Sequence, residues 1–484
     1  MTNRHKTRIV RSQDQITLQF NRAEAILPQN SLLNRQPLYL RPDPARVIVR
    51  SFKPATEPRD LSPTDKTRAN HIVDRVLALD PETAANQLAD ILENFQSRHR
   101  NLLAIIEARA EEMEAAFASH ATFTKTQRQL VGAYFLNEYS FEASALFNPS
   151  IVADPDQSGA PEGGRRFIAS LRAVGEGHIS SLTFRSGCIA GSGEVSIDPT
   201  AHFASLPRVQ SRTTGSQGEE VELFFEQDEV ISERVIFPVT IAQSNGIEDA
   251  RFVEFDDDGQ KIYYATYTAY SGLAIRSELI ETTDFKCFRL SPLKGPAARN
   301  KGMALFPRRI DGRYAMIGRQ DNENLYLIYS EDLHSWGDGI PILKPEFPWE
   351  FVQIGNCGSP IELDEGWLLL THGVGPIRKY SIGAALLDKA DPSRVLARTR
   401  EPLIRPEPAE REGYVPNVVY TCGAMRHGDQ IILPYAVSDT FTHFSTMRIT
   451  DLLGSMERCE EPATDGRPSQ LHAAIEGAAA AMVR

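Results

Sequence analysis

Cysteine is scarce and scattered in this sequence. The five cysteines, Cys188, Cys287, Cys357, Cys422 and Cys459, are odd in number and never spaced as CxxC. That pattern argues against a disulfide framework or a structural zinc site and favours a reducing compartment. No stretch reaches the ~18 continuous apolar residues of a membrane span, and the opening MTNRHKTRIVRSQDQ lacks the apolar segment of a secretory signal. A cytoplasmic protein without a membrane partner is expected. Basic charge is also short, because 52 Lys and Arg face 64 Asp and Glu, a balance of −12. Generic nucleic-acid binding is therefore disfavoured, although one local anion site is compatible with that balance. The GxxxxGK[ST], HExxH and EF-hand patterns are missing, so neither an ATP-binding phosphate loop nor a metal is indicated. Cys357, between glycines in GNCGSP, lacks an accompanying Cys–His–Asn order and reads as part of a tight turn.

What is present is ordinary in bulk, with 41% hydrophobic and 24% charged residues, as in globular proteins. A chain of 484 residues implies two to four domains or one large repeat fold. Residues 62–119 carry apolar positions at helical spacing, and a second helical stretch covers 124–146. Ahead of them QITLQF and ARVIVRSF alternate like short strands. Residues 1–146 thus read as an N-terminal segment of strands and helices, able to shape a site or mediate self-association into a homo-oligomer.

From 147 onward short apolar runs are broken by Gly, Asp and Asn. Five units begin near FNPSIVAD (147), GIEDARFVEF (246), KGMALFPRRI (301), GSPIELDEGWLLLTHG (358) and VPNVVYTCGAMRHGDQIILPYA (415). Hairpin turns are signalled by DDDGQK, RIDGRY and LDEGW, and 207–222 reads as a loop insertion. Five units suggest an all-β, five-bladed β-propeller over 147–455, with a β-sandwich pair as the alternative that periodicity leaves open. A C-terminal tail, 456–484, ends in a helical RPSQLHAAIEGAAAAMVR. Propeller blades aim the starts of their inner strands at a central channel. Asn148, Glu248, Asp249, Arg251, Lys301, Arg319, His372, Tyr380, Asn417 and Asp439 hold such positions and can converge there.

GIEDARF, KGMALFPRRIDGRYAMIGR, NCGSPIELDEGWLLLTHGVG, YSIGAALLD and PYAVSDT resemble, in consistent order over about residues 147–450, glycoside hydrolase family 130, the β-mannoside phosphorylases and β-mannosidases. The resemblance implies a five-bladed propeller and leaves residues 1–146 unexplained. It further implies that Asp249 is the catalytic acid of an inverting cleavage, delivering its proton through a hydroxyl of the bound mannose. An acid at neutral pH needs a raised pKa, which the neighbouring Glu248 would supply and Arg251 oppose. Lys301, Arg319, His372 and Tyr380 match the family's phosphate positions, with Arg299 as a further candidate. Asn148 and Asp439 match mannose contacts, Arg185 is similar to the arginine of that subsite, and Glu248 and Arg251 join the substrate-binding set.

Retention of the basic set implies a phosphorylase that takes a β-mannosyl (oligo)saccharide and inorganic phosphate and gives α-mannose 1-phosphate. No cofactor or metal is expected, phosphate being the co-substrate. The alternatives are a β-mannosidase using a glutamate such as Glu362 or Glu412, and a non-catalytic carbohydrate-binding propeller. Glu176 and His178 are noted beside the site, and Tyr267, Tyr270 and Tyr414 as aromatics able to stack on a second sugar.

Overall fold

The run WLLLTHGV, Trp367–Val374, is apolar at consecutive positions instead of alternate ones, as in a strand buried on both faces. The computed structural model, which describes residues 32–55, 66–117, 123–215 and 218–459 and the short strands Arg11–Ser12 and Gln15–Ile16, shows the reason. Trp367 and Leu369 enter one core with Phe306 and Ile317, whereas Leu368 and Leu370 enter another with Val419 and Leu433. A side-chain period of two splits the strand between two cores. Each sheet is packed on both sides.

The fold is mostly β. An eleven-stranded sheet comprises two antiparallel runs, one holding Ala145–Ala153, Arg165–Val174 and Ser180–Ile189, the other Gly246–Asp257, Gln260–Tyr270, Ile275–Thr282 and Cys287–Pro292. The runs meet in a single parallel pairing, Gly246 with Ser180. A four-stranded sheet spans residues 304–343, and a six-stranded one is built on Trp367–Val374 and Tyr380–Leu387. A five-stranded sheet holds Gln430–Val437 and Phe441–Arg448. Apolar cores fill the spaces between the first and second runs, the second run and the four-stranded sheet, that sheet and the next, the six- and five-stranded sheets, and finally the five-stranded sheet and the first run.

Three expectations are corrected. The strand Asn34–Leu40 is the outer strand of the five-stranded sheet, pairing with Phe441–Arg448, so residues 1–146 are not set apart from the β region. Within them four helices, Arg68–Leu77, Pro81–Phe95, Leu102–Phe117 and Lys125–Tyr134, gather around a core of Val73, Val76, Met113, Leu130 and Phe135. The last helix stops at Tyr134, and Leu136–Tyr139 is a strand paired with Ile48–Ser51. Residues 208–224 are a hairpin, Arg208–Gly215 with Gly218–Phe224, extending the second run instead of looping out. The helix expected over 467–484 lies outside the described residues.

A buried ionic triad joins the N-terminal segment to the first run. Glu142 accepts two hydrogen bonds from Arg46 at 3.1 Å and two from Arg185 at 2.9 and 3.0 Å. All three residues are buried, Glu142 completely.

Candidate active site

Asn148, Asp249 and Asp439 adopt left-handed backbone, with φ of 48°, 54° and 47°. At the first two the ladders shift register, between Phe147 and Ser150 and between Glu248 and Arg251. A β-bulge turns a side chain out of the pleat, and Asn and Asp tolerate the left-handed region better than most residues. The three side chains enter one cavity of about 210 Å3, which Glu248, Arg251, Lys301, Arg319, His372 and Tyr380 also line. The close acid–acid–base spacing of GIEDARF thus marks a bulged strand start that opens on this cavity.

On one wall Asp249 Oδ1 accepts from Asn148 Nδ2 at 2.7 Å and from Arg172 Nη1 at 3.3 Å. Arg172 also donates to Glu248 Oε1 at 2.7 Å and to Ser180 Oγ at 2.9 Å, and Lys301 Nζ stands 3.9 Å from Glu248 Oε2. Arg251 donates to the Asp249 carbonyl at 3.1 Å and to the Tyr420 hydroxyl at 2.7 Å. Burial alone would raise the Asp249 carboxyl. Arg172, Arg251, Lys301 and the Asn148 hydrogen bond outweigh it and hold Asp249 at about 2. The expected elevation by Glu248 is therefore corrected, since cations surround the pair. The elevated carboxyl is Asp439, pushed up to about 7 by burial and by the Asp249 charge, against Arg172 and Arg378.

The other wall is cationic and neutral. Arg319 is only 9% exposed. Its Nε has no hydrogen-bond partner, and the side chain forms no ion pair among the described residues. Burial lowers its pKa, yet a guanidinium stays charged in proteins. Burial, then Arg319 and Arg251, push His372 well below the usual histidine value, leaving a neutral imidazole. That ring stacks on Tyr380, with centroids 5.8 Å apart and planes at 15°. Gly355 faces His372 across the ladder, and a Cβ there would come within 2.2 Å of the imidazole. Glycine makes room for the ring.

Nine of the ten site residues expected from the sequence line this cavity: Asn148, Glu248, Asp249, Arg251, Lys301, Arg319, His372, Tyr380 and Asp439. Arg185 does not. It sits three residue pairs further along the ladder from Arg172, opposite Ala169, about 10 Å away at the strand rise and on the other face of the sheet. There it is consumed by Glu142. The arginine at the cavity is Arg172, signalled in RRFIASLRAV only as a charge inside a buried strand. Tyr420, Arg378, Asn356 and Gln353 also line the cavity without having been singled out.

Several secondary candidates lie elsewhere. Arg299, Glu176, His178, Tyr270, Tyr414 and Asn417 are not among the lining residues, although Tyr414 adjoins the lining residue Val415, and Tyr267 is buried against Glu278 and Gln243. Glu362 is held by Arg308 at 2.9 and 3.0 Å, and Glu412 is exposed off the cavity. Among the described residues no three His, Cys, Asp or Glu side chains cluster as metal ligands, and no helix is long and apolar enough to cross a membrane.

A family model described as beta-1,4-mannooligosaccharide phosphorylase, glycoside hydrolase family 130, matches residues 218–458. A 1,2-beta-oligomannan phosphorylase of Thermoanaerobacter sp. is 35% identical over 224 residues, 44% of this chain and 72% of the relative. A beta-1,2-mannobiose phosphorylase from the same organism is 36% identical over 225 residues, again 44% and 72%. One from Listeria innocua is 34% identical over 232 residues, 46% of this chain and 63% of its own. With nearly three quarters of two relatives spanned at this identity, and the acid and cationic walls both in place, the chain belongs to glycoside hydrolase family 130.

Proposed function

We propose that this protein is an inverting β-mannoside phosphorylase, acting in the cytoplasm on β-mannosyl oligosaccharides and inorganic phosphate and needing no metal or organic cofactor. The observation that carries the reading is Arg319, a buried guanidinium that lines the cavity and forms no ion pair among the described residues. An uncompensated buried charge costs several kcal/mol, and an oxyanion beside it would remove that penalty. Lys301 supplies a second cation, and His372 and Tyr380 supply neutral hydrogen-bonding groups. Water as nucleophile would need a carboxylate base; Glu362 and Glu412, the glutamates expected for that role, lie off the cavity, and the carboxylates that line it are Glu248, Asp249 and Asp439. The names of three relatives put β-1,2-linked mannosides first among the substrates to try. Five apolar cores taken in turn between successive sheets, the last returning to the first, support a five-bladed propeller as the frame.

In this mechanism Asn148, Arg172 and Asp439 hold the mannosyl hydroxyls. A phosphate oxygen attacks C1, the bond from C1 to the departing sugar oxygen breaks on the opposite face, and that oxygen takes a proton originating on Asp249. In the free site Asp249 is a carboxylate. Phosphate beside Lys301 offsets one of the charges that stabilise it, and sugar covering the cavity removes water. Both changes raise the affinity of Asp249 for a proton, which it takes up from solvent before the chemical step.

The test is to supply β-1,2-mannobiose with and without phosphate. The expected result is α-mannose 1-phosphate, formed only with phosphate, and an Arg319→Met variant whose KM for phosphate rises by about tenfold to a hundredfold, the scale of one charge-assisted contact. Free mannose as sole product, released at a rate indifferent to phosphate, overturns the proposal.

A further inference from the structure

Two loops flanking the cavity carry strained, exposed groups that the reaction itself does not use. Tyr414 precedes the cavity-lining Val415 and is 45% exposed. Its hydroxyl hydrogen-bonds with Nδ1 of His178 at 2.7 Å, bridging segments 236 positions apart, and the two rings lie 5.6 Å apart. His178 is left-handed at φ 60° and stands two residues before Ser180, the hydroxyl that anchors Arg172.

Tyr414 is tied as firmly to the other end of the site. Its amide donates to Thr440 Oγ1 at 2.8 Å, and Val415 N donates to Ser438 O at 3.0 Å, one residue either side of Asp439. Gly413 lets this segment press on that turn, since a Cβ there would lie 2.5 Å from Thr440 Oγ1. An exposed aromatic ring is thus fixed by hydrogen bonds to both supports of the sugar wall.

Resting on the phosphorylase reading, we infer that the Tyr414 ring, braced by His178, forms the acceptor-side subsite and stacks on the second pyranose of the substrate. A pyranose offers an apolar C–H face to such a ring and hydroxyls to its rim, and a rigid aromatic contact loses little conformational entropy on binding. Phosphate and the transferred mannosyl do not touch it. Tyr414 therefore determines acceptor affinity and leaves donor affinity alone.

Synthesis from α-mannose 1-phosphate and mannose separates the two affinities. Tyr414→Ala is expected to raise KM for the acceptor by about tenfold, the upper range for one aromatic contact, with KM for α-mannose 1-phosphate changed less than twofold. Tyr414→Phe, which keeps the ring, should hold the acceptor change below threefold. An unchanged acceptor KM in Tyr414→Ala, or an equal rise for both substrates, overturns the subsite. Wild-type protein that forms no disaccharide and phosphorolyses none defeats the phosphorylase reading instead. In that event calorimetric titration still reads the subsite: β-1,2-mannobiose should bind wild type more tightly than mannose does, and Tyr414→Ala should close that gap. Equal gaps in the two proteins overturn it.

Discussion

Asp439 carries a carboxyl pushed up to about 7 by burial and by the charge of Asp249, against about 3.9 for an unfolded aspartate. Between those values the folded protein binds more protons than the unfolded chain, so stability falls as pH rises through the window. The penalty is absent below about pH 4 and complete above about pH 8, on the order of 4 kcal/mol for three units. Asp439→Asn removes the titration. Its Tm relative to wild type is therefore expected to climb from pH 4 to pH 8, and parallel Tm–pH curves would contradict the assignment. At this scale the sequence was informative about residue types at strand starts and silent about their charge states. GIEDARF announced Asp249, but the cation that dominates it, Arg172, comes from another strand, 77 positions away. Arg185 was the more conspicuous arginine, and the pleat carries it to the far face.

The triad of Arg46, Glu142 and Arg185 shows what an element needs when it docks through charge. Glu142 is the carboxylate shared by two guanidinium groups that are each 3% exposed. Glu142→Gln leaves both without a counter-ion and should cost about 3–5 kcal/mol in urea unfolding. The half-exposed Arg308–Glu362 pair serves as the control, because Glu362→Gln should cost less than about 1 kcal/mol. Equal losses for the two variants would sink the argument. Helices with local signals were readable, as where Asp80 caps PETAANQLADILENF and Pro81 opens it. The end of the last helix was not. FLNEYS can continue a helical pattern, and only pairing of Leu136–Tyr139 with Ile48–Ser51 turns it into a strand. The hairpin over 208–224 escaped for the same reason, since the strand it pairs with on its inner side, Cys287–Pro292, is distant in sequence.

Across the whole molecule the sheets are held by cores shared between neighbours, so none is stable without the next. A chain beginning at residue 147 lacks Asn34–Leu40, Arg46 and Glu142. It would expose the ladder edge of Phe441–Arg448 and leave Arg185 buried without Glu142. Exposed edges invite pairing with other chains, so such a chain is expected to aggregate on size-exclusion chromatography and to lack phosphorolytic activity. A soluble monomer that unfolds cooperatively would refute this. The strand-rich region beginning near 147 was legible because its runs are apolar at consecutive positions. Recruitment of a strand from the N-terminal segment was not, because nothing in NRQPLYL names its distant partner. That partnership also governs how the protein can be made. His443 hydrogen-bonds with the carbonyl of Gln36, 407 positions earlier. At roughly 5–20 residues per second of translation, the early strand waits about 20–80 s on the ribosome before its mate emerges. The last sheet is therefore completed long after its early strand has been made, and a chaperone able to shield that early strand should raise the yield of folded protein.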